Sequence, residues 1–168
     1  MNEKKWIKSK YYYSELNNSK INSILYFGLI WSIFEDEVCV NNAKISKSKN
    51  LSLLLCPSLE HSSKRKITTI WNYFVDRYVD VNGDINHIFQ NFKFNLNDDK
   101  PFVENALKKR KKVSFEEKIE AILRIVFRLR NNLLHGEKDV LQLYGQNKNF
   151  QNANKFLILI IEKQIKIN

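Results

Sequence analysis

"SFEEKIEAILRIVFRLRNNLLHG", residues 114–136, is the stretch that decides the fold. It opens with Ser114, followed three positions on by Glu117, the pair that satisfies the first orphan N–H groups of a helix reciprocally. Apolar residues then return at helical spacing, and Gly136 offers a left-handed stop. The helix so predicted has about 20 residues and is roughly 30 Å long. On it Ile122, Val126, Leu129 and Leu133 share one stripe, which must enter a core. Arg124, Arg128, Asn131 and His135 repeat that spacing on a stripe roughly 180° away. The pattern predicts a cationic, hydrogen-bonding row on a face the core does not need. Arg130 belongs to neither row and projects from a flank shared with Phe127 and Leu134, where its guanidinium is partly shielded from water.

Outward from that helix the chain reads as helical nearly throughout. "SELNNSKINSILYFGLIWSIFEDEVCVNN" (14–42) is a long helix, with Leu25, Leu29 and Ile33 beside Phe27, Trp31, Phe34 and Val38, packed on more than one side. Within 43–66 a short helix ends near Pro57 and a polar loop follows. "KITTIWNYFVDRYVD" (66–80) predicts a helix despite its β-branched residues, and the Asn82-Gly83-Asp84 triplet a turn or helix end. "INHIFQNF" reads as a short helix, "NLNDDK" (95–100) as a loop, and Pro101 suits the first turn of a small helix over 101–110. After the capped helix, "DVLQLYG" gives a short helix and "NANKFLILIIEKQIKI" an amphipathic terminal one. The expectation is an all-α, single-domain bundle of four to five helices over 14–168, preceded by a basic arm at 1–13.

With 168 residues, four Gly and two Pro, the chain is long enough for one core and poor in strand and turn signals. Cys39 and Cys56 lie among apolar neighbours with no paired spacing, which predicts reduced, buried thiols rather than a metal site. The first residues lack an apolar signal core, and the longest apolar run, "FLILII" (156–161), is far too short to cross a bilayer, so a cytoplasmic protein without membrane contact is expected. A net charge of +10 invites a polyanion, although many lysines belong to a Lys/Asn/Ile-rich composition. Arginine is more informative, since three of the six fall between positions 124 and 130. "KKRKK" (108–112) reads as a solvated loop first and a phosphate-contacting loop second. His61 and His87 read as structural or surface residues, and Trp6, Tyr11–Tyr13 and Trp71 as packing aromatics.

"RLRNNLLHGEK" (128–138) resembles the signature of the HEPN superfamily, an Arg, a polar residue, three more positions and a His near the end of a long helix. Arg130, Asn131 and His135 stand at those positions, and "LYFGLIWSIFEDEV" looks like the family's first helix. The resemblance implies a helical bundle that dimerises through the motif-bearing helix, so that two motifs face each other. It also implies a metal-independent endoribonuclease of the toxin–antitoxin or phage-defence kind. The alternative is a catalytically silent relative that binds RNA, nucleotides or protein. One branch carries, two positions after the His, a Tyr that its antitoxin modifies with AMP; this chain has Glu137 there, which points to a different inhibitory partner.

The chemistry suits these residues. Metal-free RNA cleavage needs a base for the 2′-hydroxyl proton, an acid for the leaving 5′-oxygen and positive charge on the phosphorane. His135 holds either protonation state near neutrality. Arg130 offers a planar fork to phosphate oxygens. Asn131 hydrogen-bonds the phosphate or orients the imidazole. On an ideal helix Arg130 and His135 lie roughly 140° apart, so a symmetric dimer is expected to pool two copies of each around one RNA phosphodiester. Arg124 and Arg128 are expected to hold RNA backbone, and Glu35 to be half-buried and paired with an arginine of the long helix. No metal or cofactor is expected.

Overall fold

Ser114 and Glu117 close the predicted box. The Glu117 N–H donates to Ser114 Oγ at 3.1 Å, and the Ser114 N–H donates to Glu117 Oε2 at 3.0 Å. The computed structural model describes Lys5, Ser9 and residues 18–94, 99–134 and 145–167. Seven α-helices and no strand occur among the described residues: α1 (Asn18–Glu37), α2 (Ser48–Ser58), α3 (His61–Tyr78), α4 (His87–Gln90), α5 (Lys100–Lys109), α6 (Phe115–Leu134) and α7 (Asn147–Ile161). Two 3₁₀ turns, Ile45–Lys47 and Arg110–Lys112, lead into α2 and α6. The short helices α2 and α4, both expected from the sequence, bring the count above the four to five of the expected bundle. His135, Gly136, Glu137, the predicted helix "DVLQLYG" up to Tyr144 and, apart from Lys5 and Ser9, the N-terminal arm lie outside the described residues.

α6 is the central helix and packs against α2, α3, α5 and α7. Every residue from Ile119 to Leu129 is buried. The stripe of Ile122, Val126 and Leu129 enters the core as its spacing requires, with Leu133 packed against it. So does the opposite side. Arg124 and Arg128 are 8% and 1% exposed, and the expected solvent-facing cationic row is therefore absent over these two turns. A helix wheel gives relative angles only. Here α5 and the segment after α4 cover the polar side as well.

α1 shows the reverse. Phe27, Trp31, Phe34 and Val38 are buried, whereas Leu25, Tyr26, Leu29 and Ile33 are 44–64% exposed. The sequence predicts a helix covered on more than one side, and among the described residues only one side is covered. That inner side lies along α7, with Phe27 and Phe150 ring centroids 5.1 Å apart and Asn154 Nδ2 donating to Ser23 O at 3.0 Å. α1 ends at Glu37, because Val40 and Asn41 take left-handed backbone angles.

α3 starts at His61, within the stretch that composition suggests is a loop; "HSSKRK" is the polar start of an amphipathic helix whose inner face is Ser63, Ile67, Ile70, Trp71, Phe74, Val75 and Tyr78. Its Thr68 and Thr69 hydroxyls donate to the carbonyls of Lys64 and Arg65, one turn back. Pro57 sits next to the last residue of α2, as the sequence predicts. Gly83 turns the chain at φ +96, where Asp80 Oδ1 accepts from the N–H groups of Asn82 and Asp84. Asp99 caps α5 by accepting from Phe102 N, with Pro101 in the first turn. After α7 the Ile167 N–H donates to Val38 O at 2.8 Å, fastening the end of the chain to the end of α1. No helix among the described residues is long and apolar enough to cross a membrane.

The Lys109 ammonium, 2.8 Å away, and the Ser114 N–H hold the Glu117 carboxyl below its ordinary value near 4.5. A depressed carboxyl stabilises the fold above its unfolded pKa and loses that effect as pH falls through the folded value. Ser114→Ala is expected to cost about 1 kcal/mol, or roughly 2–4 °C in Tm for a domain of this size. In thermal melts at neutral pH, Glu117→Gln is likewise expected to melt below the wild type, and that difference should shrink as pH drops below about 4.5.

Candidate functional site

Where α6 runs out, its polar side chains divide into an interior group and a rim group. The interior group begins with Arg124, whose Nε and Nη2 donate to Glu120 Oε1 at 3.1 and 2.7 Å. Asp99 Oδ2 lies 3.9 Å from Nη2, and the guanidinium stands 5.2 Å from the Phe102 ring centroid. One turn on, Arg128 is the second largest of the fully buried side chains. Its Nε donates to Lys93 O, and its Nη2 donates to Asn132 Oδ1 at 2.8 Å. The sequence missed Asn132, a 2% exposed residue whose amide oxygen orients Arg128. Its spacing of four from Arg128 is the signal that identifies it.

The rim group is Arg130 and Asn131, both half-exposed. Arg130 lies over the Trp31 ring at 5.7 Å, and its Nη1 donates to Asn131 Oδ1 at 3.2 Å. Trp31 in turn stands edge-on to Phe127 at 4.8 Å and donates its indole N–H to Glu35 Oε2 at 3.3 Å. Glu35 is half-buried as expected, but its partner is this indole rather than an arginine of α6. An anionic acceptor on the indole N–H enriches the ring's π face and so strengthens its attraction for a guanidinium. Arg130 is thus held on a rigid aromatic platform, its Nη1 on Asn131 and its Nε buried without an acceptor among the described residues.

Of the sequence-predicted site residues, the structure brings Arg130, Asn131 and Glu35 together around Trp31. It places Arg124 and Arg128 inside, each already engaged, so neither guanidinium is displayed to a ligand. His135 follows Leu134, the last residue of α6, and lies outside the described residues. Among the described residues no group of three or more His, Cys, Asp or Glu is placed to hold a metal ion. Cys39 is buried and Cys56 half-buried, both as free thiols. Burial, helped by the charge of Glu35, pushes the Cys39 thiol up to about 12, which leaves it unreactive at neutral pH. No protein-family model, curated protein or solved structure matches this chain.

The division between interior and rim has a direct test in urea unfolding. Arg128→Ala empties a buried volume and strands Lys93 O and Asn132, and is expected to cost about 3 kcal/mol or more. Arg130→Ala removes a half-exposed guanidinium from an aromatic face and is expected to cost about 1 kcal/mol.

Proposed function

We propose that this chain is a metal-independent endoribonuclease whose site is completed by a second copy of itself. The observation that carries the reading is the rim pair. Arg130 is fixed on Trp31 with Asn131 against it, at the end of the helix that leads into His135. In this mechanism one His135 imidazole removes the proton from a ribose 2′-hydroxyl as its oxygen attacks the adjacent phosphorus. The partner's His135, protonated, gives a proton to the departing 5′-oxygen. The products are a 2′,3′-cyclic phosphate and a 5′-hydroxyl, and protons and electrons balance without a co-reactant. Arg130 neutralises the equatorial oxygens of the phosphorane, an effect worth about 3–4 kcal/mol for a well-placed donor. Arg124 and Arg128 serve by fixing the helix, not by touching RNA.

Because α6 is encased, pairing of two copies calls on the neighbouring surface of α1, the exposed stripe of Leu25, Tyr26, Leu29 and Ile33. α1 closes with Glu35, Asp36 and Glu37 and has no basic residue in its last turn, an order that opposes the helix dipole. A second α1 running antiparallel relieves this by bringing its positive N-terminal end alongside. A silent RNA-binding module is the second reading, favoured by the withdrawal of Arg124 and Arg128 from the surface. Such a nuclease needs restraint in its own cell, and an inhibitory partner protein is part of the proposal.

The test incubates the full-length protein with labelled single-stranded RNA in EDTA. Wild type is expected to leave cyclic-phosphate ends, and His135→Ala and Arg130→Ala to lose at least a hundredfold in rate. Leu29→Arg should remain folded, turn monomeric by light scattering and lose cleavage. Equal cleavage by wild type and His135→Ala, or cleavage that EDTA abolishes, overturns the reading, and binding without cleavage in wild type selects the silent module.

A further inference from the structure

At the other end of α6, roughly 25 Å from Arg130 along the helix axis, lies a cavity of about 800 Å³. One wall is the C-terminal half of α3 and the residues after it, Asn72, Val75, Asp76, Val79, Asp80 and Val81. The other is five consecutive basic residues, Lys108 to Lys112. We propose that this cavity docks the phosphodiester backbone of single-stranded RNA, with Lys111 and Lys112 as the principal contacts.

Four observations lead there. First, the basic wall is built rather than loose. Arg110 has a left-handed φ of +51 that a long side chain rarely adopts, and it persists because both ends of the residue are fastened. Its carbonyl accepts from the buried Trp71 indole at 3.2 Å, and its Nη2 donates to Asp80 O at 2.6 Å. Second, the lysines divide by commitment. Lys109 is bound to Glu117 at 2.8 Å and Lys108 lies 3.5 Å from Asp84, whereas Lys111 and Lys112 are exposed and have no ion-pair partner among the described residues.

Third, the basic wall outweighs the acidic one. With Lys108 and Lys109 paired to Asp84 and Glu117, three cations, Arg110, Lys111 and Lys112, stand against Asp76 and Asp80, and Asp80 Oδ1 is already occupied by the N–H groups of Asn82 and Asp84. Fourth, no aromatic ring among the described residues lines the cavity, so these offer nothing on which a base can stack. Charge without stacking recognises backbone, independent of sequence. The choice of RNA over another polyanion rests on the nuclease reading; the site itself does not.

The experiment measures anisotropy of a labelled 2′-O-methyl oligouridylate, which cannot be cleaved, against the full chain over a range of KCl. Wild type is expected to bind with a steep salt dependence. Lys111→Ala/Lys112→Ala should weaken binding roughly tenfold at low salt and flatten the slope of log K against log salt by about 1.4, the value for two lost contacts to a single strand. The substituted side chains are exposed, so an unchanged circular dichroism melt is expected alongside. The proposal is overturned by a double variant that binds like wild type with an unchanged slope. It is also overturned if inorganic pyrophosphate binds through these lysines while the oligonucleotide does not, which makes the cavity a small-anion site. Oligonucleotide binding that depends on Lys111 and Lys112, with no cleavage of RNA, sustains this inference and ends the nuclease one.

Discussion

The placement of Arg128 inside the helical bundle is the constraint on which the rest depends. A guanidinium at 1% exposure is tolerable only where acceptors surround it, and Lys93 O and Asn132 Oδ1 supply two of them. Meeting that requirement ties the segment after α4 to the last turns of α6 across 35 residues of sequence. It also sets the rotation of α6 about its axis. With Arg128 inward, Arg124 must lie inward one turn earlier against Glu120, and Arg130 must emerge at the rim beside α1.

That rotation gives the two ends of α6 different characters. Its N-terminal end is fastened by a capping box whose Glu117 also holds Lys109, and the adjoining basic turn faces a cavity against α3. Its C-terminal end presents one guanidinium and one amide on an indole platform whose N–H is already engaged by Glu35. In the proposed scheme the first end holds RNA by charge and the second carries the chemistry. The outer stripe of α1, exposed among the described residues, adjoins that C-terminal end through Trp31.

Local signals in the chain were legible where the physics is local. The Ser114–Glu117 box, Pro101 at the start of α5, the Gly83 turn and the apolar stripe of α6 all occur as read, because each depends on residues within a turn or two of one another. The fate of Arg124 and Arg128 was not legible. Periodicity separates two faces of a helix but cannot say that a carbonyl at Lys93 will meet the second one. The same limit applies in reverse to α1, where Leu25, Leu29 and Ile33 look like core and are exposed among the described residues. "HSSKRK" hid the start of α3 because a solvent-facing first turn has the composition of a loop. Trp31 was visible as an aromatic one turn before Glu35, but its contact with Arg130 joins residues 99 positions apart in the chain.

The most direct measurement is proton exchange at the arginine Nε–H groups by nitrogen-15 NMR of the full chain. With Arg128 buried and donating to Lys93 O, its Nε–H should stay visible at neutral pH and exchange far more slowly than that of Arg65, whose Nε–H donates to His61 Nε2 on the solvent-exposed face of α3. Exchange of Arg128 as fast as Arg65 would place that guanidinium in water. The rotation of α6, and with it the assignment of Arg130 to the rim, would then be wrong.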